Sequence, residues 1–183
     1  MRLGARVSSP VTLLSEYLSA LRALLRGESV TTAGRYVTLD DVTLGLPPLA
    51  PVSVFSAAAG PRTLEVSGRH ADGTILDSGT TAERVREACK LIDRARADAG
   101  RTDPHQIVVY LMAVTGPDAA ARLAAMDRDG TPSVAGDPHA VADAVRFWGS
   151  LGADRVILHP APDDQDPLAF IRFTAEQVQP LLS

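Results

Sequence analysis

The clearest chemical signal in the chain is the run Ser56-Ala57-Ala58-Ala59-Gly60-Pro61-Arg62-Thr63. Its small side chains let a ligand come close to the backbone. Pro61 can occupy the first turn of a helix at no hydrogen-bond cost. The free N–H groups and the positive end of the helix dipole would then favour an anion such as a phosphate, and Arg62 adds charge. The same residues also suit a tight strand-to-helix turn with no ligand at all. Three further polar residues stand where a strand should end: Asp77 and Ser78 after one, His159 before Pro160-Ala161-Pro162 after another. In βα folds the carboxyl ends of the strands face the ligand. His70 and His105 fall on the opposite side, where helices hand over to strands, and are expected to serve stability. Cys89 and Trp148 lie on apolar helix faces and read as core. No residue is identified as a catalytic acid or base.

Several chemistries are excluded. There is no G-x-G-x-x-G after a strand and no P-loop. H-E-x-x-H is absent, and so is the G-x-S-x-G of a hydrolase elbow. The single cysteine rules out an intrachain disulfide and a thiolate-rich metal site, and no metal is expected. The net charge of −4 argues against nucleic acid as a partner. No apolar run approaches the ~20 residues of a membrane span, and Met1–Pro10 lacks a signal-peptide apolar region. A soluble, cytoplasmic protein with a small-molecule substrate is the expectation.

The elements that must position these residues follow from pattern. Ser9-Pro10 opens a helix carrying Leu14, Tyr17, Leu18, Leu21, Leu24 and Leu25, closed by Gly27. Residues 30–46 suggest a short hairpin, and Leu46–Pro51 a stiff connector. Strands are expected at Val52–Ser56, Gly73–Leu76, Ile107–Val114 and Arg155–His159. Ile107–Val114 shows no alternation, as in a strand buried on both faces. Helices are expected from Pro61 to Arg69, from a capping box at Thr80-Thr81-Ala82-Glu83 to Gly100, and after Asp137-Pro138 and Asp166-Pro167. The helix after Asp137-Pro138 should bury Val141, Ala144, Val145, Trp148 and Leu151. The final helix should carry Phe170, Ile171, Val178 and Leu181. Residues 115–136 hold a short Ala-rich helix and then loop. Strand–helix order, four times after a leading helix, means α/β architecture with a parallel sheet. Gly68–Leu76 echoes Ser150–Leu158: a helix end, an Ala-Asp turn and a buried strand. A repeat of that kind favours a βα barrel over an open sheet. With 183 residues, one domain is expected.

A series of short pieces then points to a family. In order they are Glu16-Tyr17-Leu18 with Leu21-Arg22-Ala23-Leu24-Leu25, Gly27-Glu28, Gly34-Arg35-Tyr36, Ala58-Ala59-Gly60-Pro61-Arg62-Thr63-Leu64, Ala71-Asp72-Gly73, Gly136-Asp137-Pro138 and Gly152-Ala153-Asp154. Their order and spacing resemble the luciferase-like flavin-dependent oxidoreductases and monooxygenases, particularly the branch that uses the deazaflavin coenzyme F420. The resemblance implies a partial (β/α)8 TIM barrel, roughly its last four βα units with a leading helix. It implies that Ala57, Ala58, Ala59, Gly60 and Pro61 contact the cofactor, F420 or alternatively FMN, with Asp77, Ser78 and His159 lining the mouth. Seventeen arginines, one lysine and no asparagine indicate a high-GC genome of actinobacterial type, which agrees with F420 use. A whole barrel takes about 250 residues, so the first three or four strands are expected to be missing. Open sheet edges would then favour a homo-oligomer, a chain that completes the barrel, or a reading frame that begins upstream of Met1. The alternative is a non-catalytic remnant that binds a flavin-type cofactor or nothing.

Overall fold

A computed structural model describes residues 7–126 and 132–182. The chain divides into two compact units. The first comprises Met1–Thr74 with Lys90–His105, and the second Ile75–Cys89 with Gln106–Ser183. Among the described residues no helix is long and apolar enough to cross a membrane.

The first unit opens with α1 (Pro10–Leu25). The Ser9 hydroxyl caps it by accepting from the Thr12 N–H. Gly27, at φ +78°, ends it. The Gly27 and Glu28 N–H groups donate back to Leu24 and Ala23, which satisfies the last carbonyls. Leu18 is buried against Val54, Val66 and Ala71, and Leu14, Leu21 and Leu25 pack on the same side. Tyr17, expected on that stripe, is 55% exposed. The Leu14–Leu18–Leu21–Leu25 row sets the buried face, and Tyr17 lies off it.

The hairpin expected over 30–46 is present as antiparallel β1 (Val30–Ala33) and β2 (Thr38–Val42). Glu16 of α1 anchors its turn. Its carboxylate accepts the backbone N–H groups of Arg35, Tyr36 and Val37 at 2.9, 2.8 and 3.0 Å. These bonds hold the carboxyl below the usual carboxylate range. The approach leaves no room for a side chain at position 34, where an added Cβ would lie 2.5 Å from Glu16 Oε2. The Tyr36 hydroxyl accepts the N–H groups of Ser8 and Ser9 at 3.1 and 2.7 Å, tying the start of α1 to the same turn.

After the connector come β3 (Phe55–Ala57), α2 (Pro61–His70) and the first half of β4 (Gly73–Leu76). The strand expected over Val52–Ser56 is therefore shorter and later. Val52 and Ser53 are exposed, and Val54 is held by other means. Asp72 donates its N–H to the Val54 carbonyl (2.7 Å) and accepts the Val54 N–H on its carboxylate (2.9 Å).

Below α2 a buried relay runs through three side chains. Arg96 can only donate, so its 3.3 Å contact makes His105 Nδ1 an acceptor. His105 Nε2–H then donates to Thr74 (2.9 Å). Thr74 donates to Ser67 (2.7 Å), and Ser67 to the Gly73 carbonyl (3.4 Å). Burial, reinforced by Arg96 and Arg101, lowers the His105 pKa from 6.5 to about 4. His70 is lowered as well, first by burial and then by Arg69, Arg101 and Arg22. Its ring is held between the Ser15 and Ser19 hydroxyls. Asp103, bonded by Arg101, falls from 3.8 to about 2.

The second unit holds the rest of β4 and the first half of α3 (Ala82–Asp98), then β5 (Gln106–Val114), α4 (Ala119–Ala125), β6 (Ser133–Ala135), α5 (Pro138–Ser150), β7 (Arg155–Pro160) and α6 (Pro167–Phe173). A π-helical turn (Thr174–Val178) and a 3₁₀ turn (Gln179–Leu181) follow. β5 pairs in parallel with β6 and with β7. Three details differ from expectation. α3 is capped by Thr81, whose hydroxyl accepts from Arg84, while Thr80 donates to Asp77. No capping box forms, because the third helical residue is Arg84. The stretch expected as loop after α4 contains β6, a strand of three residues that the propensity of so short a segment does not announce. Ile171 is 58% exposed while Phe170 beside it is buried, since consecutive helical residues diverge by a hundred-degree step. In α5, Val141, Ala142 and Trp148 are the buried residues, with Ala144 and Val145 half-buried.

The aspartate contact of the first unit recurs here. Asp154 donates its N–H to the Ile107 carbonyl (2.9 Å), and its carboxylate accepts the Ile107 N–H (2.7 Å). This is the physical content of the Ala-Asp echo. Asp154→Ala is expected to destabilise the chain by about 1–3 kcal/mol, the cost of an unpaired N–H at the foot of β5. Asp154→Asn, which keeps an acceptor oxygen, should cost less. Urea midpoints of the two variants decide it.

The histidine shifts set a pH profile. Both rings are neutral in the fold, so unfolded chains take up protons first as pH drops below 6.5. Stability should therefore be flat above that pH and fall between 6.5 and about 4. A second fall should follow from 3.8 toward 2 as Asp103 protonates. Thermal midpoints from about pH 8 to about pH 3 test this, with His105→Gln expected to flatten the upper window.

Candidate functional site

The turn between β3 and α2 lies in the first unit. Ala57, Ala59, Gly60 and Pro61 are exposed and Ala58 is buried. Thr63 shapes the turn. Its hydroxyl accepts the Gly60 N–H (3.2 Å) and donates to the Gly60 carbonyl (2.9 Å). The first in-helix bond is Leu64 N–H to the Gly60 carbonyl. With Gly60 engaged and Pro61 lacking an N–H, the Arg62 and Thr63 amides are the first-turn donors that have no partner within the helix. A Cβ added at Gly60 would meet only Thr63 Oγ1, at 3.8 Å. The surface above the turn is open, as close approach of a ligand requires.

Asp77, Ser78 and His159 lie in the second unit. Asp77 directly follows β4, and its Oδ1 accepts from the Gly79 N–H (3.2 Å) and the Thr80 hydroxyl (2.7 Å). One carboxylate oxygen thus builds the loop, and the carboxylate is otherwise exposed. Ser78 follows it, half-buried.

His159 is placed by the β5–β7 register, which pairs Tyr110 with Ile157 and Met112 with His159. The alternate residues Ala113 and Leu158 pack against Val141, Ala142, Phe170 and Val178 of the helical layer. Side chains alternate across a sheet. Tyr110, Met112, Ile157 and His159 therefore share the face turned away from those helices. Ile157 is 40% exposed there. The Tyr110 ring lies 6.3 Å from that of His159, tilted by 56°. His159 Nδ1 lies 3.2 Å from the Pro160 carbonyl, while its Nε2 is buried with no hydrogen-bond partner. It is the one such side-chain atom among the described residues. Thr63 ends the run read from sequence as the candidate site, without a role of its own there, and Tyr110 is not among the site residues read from sequence. The three-residue offset from Gly60 signals Thr63. Tyr110 has no local signal, because only the strand register brings it beside His159.

A parallel βα fold of this kind belongs to the α/β proteins, whose ligands bind outside the carboxyl ends of the strands. The luciferase-like monooxygenase family profile matches residues 1–147, and the chain belongs to that family. It is 32% identical over 138 residues to an F420-dependent glucose-6-phosphate dehydrogenase of Beutenbergia cavernae, covering 74% of this chain and 35% of the relative. It is 34% identical over 116 residues to an F420-dependent hydroxymycolic acid dehydrogenase of Mycobacterium tuberculosis, covering 61% and 31%. Among solved structures, an F420-dependent secondary alcohol dehydrogenase in complex with an F420-acetone adduct superposes with a TM-score of 0.80 at 16% identity. That match covers 98% of this chain and 64% of the other. The coenzyme F420-dependent tetrahydromethanopterin reductase of Methanopyrus kandleri gives 0.76 at 18% identity, covering 96% and 64%. The chain thus spans about a third of the two curated relatives and under two thirds of the two structures.

Proposed function

We propose that this chain is part of an F420-dependent oxidoreductase acting on a small organic substrate, with its cofactor seated on the Ala57–Pro61 turn. The observation that carries this is the turn itself: exposed small residues and an open approach at Gly60, at a helix start whose first N–H groups have no partner within the helix. It lies in a chain whose relatives include enzymes named for F420. The residues present suit such a group. The helix end of the first unit offers N–H donors to an anionic tail. When bound, a deazaflavin accepts or donates a hydride. The protein's share is binding, orientation and electrostatics. In this reading Ala57, Ala59 and Gly60 let the cofactor lie against the backbone, and the Arg62 and Thr63 amides hold its charge. Asp77, Ser78 and His159 line the mouth where the substrate enters. FMN is the alternative cofactor.

The share of relatives' length that the chain spans favours a further element of the reading. The rest of the barrel is supplied by polypeptide beyond these residues, in the same protein, in a second copy or in another chain. A chain that binds cofactor without turnover is the second reading that the same observation supports.

Fluorescence titration of the purified chain with F420 and with FMN tests the proposal. Saturable micromolar binding of F420 is expected, and of FMN weakly or not at all. Gly60→Val should abolish binding while leaving the thermal midpoint near that of the parent, because the added side chain meets open space. Unchanged affinity in Gly60→Val would remove the turn from the site.

A further inference from the structure

We infer that His159 Nε2 is a hydrogen-bond acceptor reserved for a ligand hydroxyl at the carboxyl end of β7. The inference rests on the reading above that the chain takes a flavin-type cofactor and a small organic substrate, and concerns the second unit by itself. A carbonyl oxygen can only accept, so the contact with Pro160 requires the proton on Nδ1. The neutral ring then carries a bare lone pair on Nε2. That atom is out of reach of solvent and has no partner. A buried acceptor left unpaired weakens the fold, and such groups cluster where function requires them. The contrast with His105 is direct. Both of that ring's nitrogens are engaged, by Arg96 and Thr74.

The surroundings select the ligand chemistry. His159 shares its face with Tyr110, Met112 and Ile157; that face is turned away from α5 and α6, and at Met112 it packs on Ala119 and Leu123 of α4. Among aliphatic and aromatic neighbours a neutral donor is favoured over an ion, because an unpaired charge would be desolvated there. An aliphatic hydroxyl meets this requirement. It has two sources: the polyhydroxylated chain of a flavin-type cofactor, or an alcohol substrate.

The full chain, labelled with ¹⁵N-histidine, gives a direct readout. Side-chain ¹H–¹⁵N spectra should show His159 protonated at Nδ1 and bare at Nε2, with the signal identified by its loss in His159→Phe. A saturable shift of the Nε2 resonance with F420 or FMN alone assigns the hydroxyl to the cofactor. A shift seen only when propan-2-ol is added to the cofactor-bound chain assigns it to the substrate. His159→Phe keeps a ring of similar size and removes the acceptor. It should hold or raise the thermal midpoint while weakening the shifting ligand by about tenfold. His159→Gln keeps an acceptor and should bind within a few-fold of the parent. Three results would each overturn the inference: an Nε2 resonance that moves with no ligand, a proton found on Nε2, or a His159→Phe chain that is less stable but binds normally. The cofactor-site reading is judged separately. If Gly60→Val loses F420 while His159→Phe weakens neither F420 nor propan-2-ol, the turn stands and the assignment to His159 fails.

Discussion

A parallel strand cannot be aligned by a tight hairpin, so something at its foot must fix its register against a neighbour distant in sequence. In this chain an aspartate does so, twice. Asp72 grips Val54, and Asp154 grips Ile107, each through its own N–H and its carboxylate. Each contact joins the turn before one strand to the foot of another. The carboxylate supplies the acceptor that the N–H at the strand's foot would otherwise lack. Because side chains alternate along a strand, a slip of one residue would turn every one to the opposite face. The Asp154 contact therefore decides that His159 shares a face with Tyr110 and that Leu158 packs on the helices.

Unit by unit, other contacts brace these feet. Arg22 and Arg101 both reach Asp72, at 2.5 and 3.2 Å, and Arg101 also bonds Asp103. The charges are only partly buried, so their worth lies less in energy than in holding the turn's geometry. Glu16 performs a similar task for the hairpin. One carboxylate gathers three amides of a turn, and Gly34 is required because the carboxylate occupies the space a side chain would fill. The short motifs that mark the family thus include two anchoring devices. Glu16 with Gly34-Arg35-Tyr36 forms one, and the two Ala-Asp turns form the other.

This explains how much was legible in the sequence. The Ala-Asp echo could be seen as a repeat because the same contact demands the same residues in both places. Helix starts with a Ser or Asp cap followed by proline were readable at Ser9, Asp137 and Asp166, where side chain and backbone signals agree. At Thr80-Thr81 two adjacent hydroxyls compete for the cap. Asp77 decides between them by engaging Thr80, and that is a tertiary fact. β6 escaped notice because three residues between Pro132 and Gly136 carry no period. The final π-helical turn has no sequence signature at all. Of the candidate site, the turn at 57–61 was legible from composition, and the positions of Asp77 and His159 from strand ends. The partnerless Nε2 was not, since it follows from which neighbours the register brings near.

His105 and His159 show how one side chain can be given opposite tasks. His105 stands just before β5 in sequence, with both ring nitrogens engaged, and burial holds the ring neutral. His159 sits near the other end of the paired strand, half-buried, with one nitrogen pinned and the other left unsatisfied. In a βα fold the amino ends of the strands serve stability and the carboxyl ends serve chemistry. The distribution of satisfied and unsatisfied nitrogen follows that division. The aspartate contacts connect the two ends. By fixing β7 against β5 at the foot, Asp154 keeps the unsatisfied nitrogen of His159 at the carboxyl end, on the face turned away from α5 and α6.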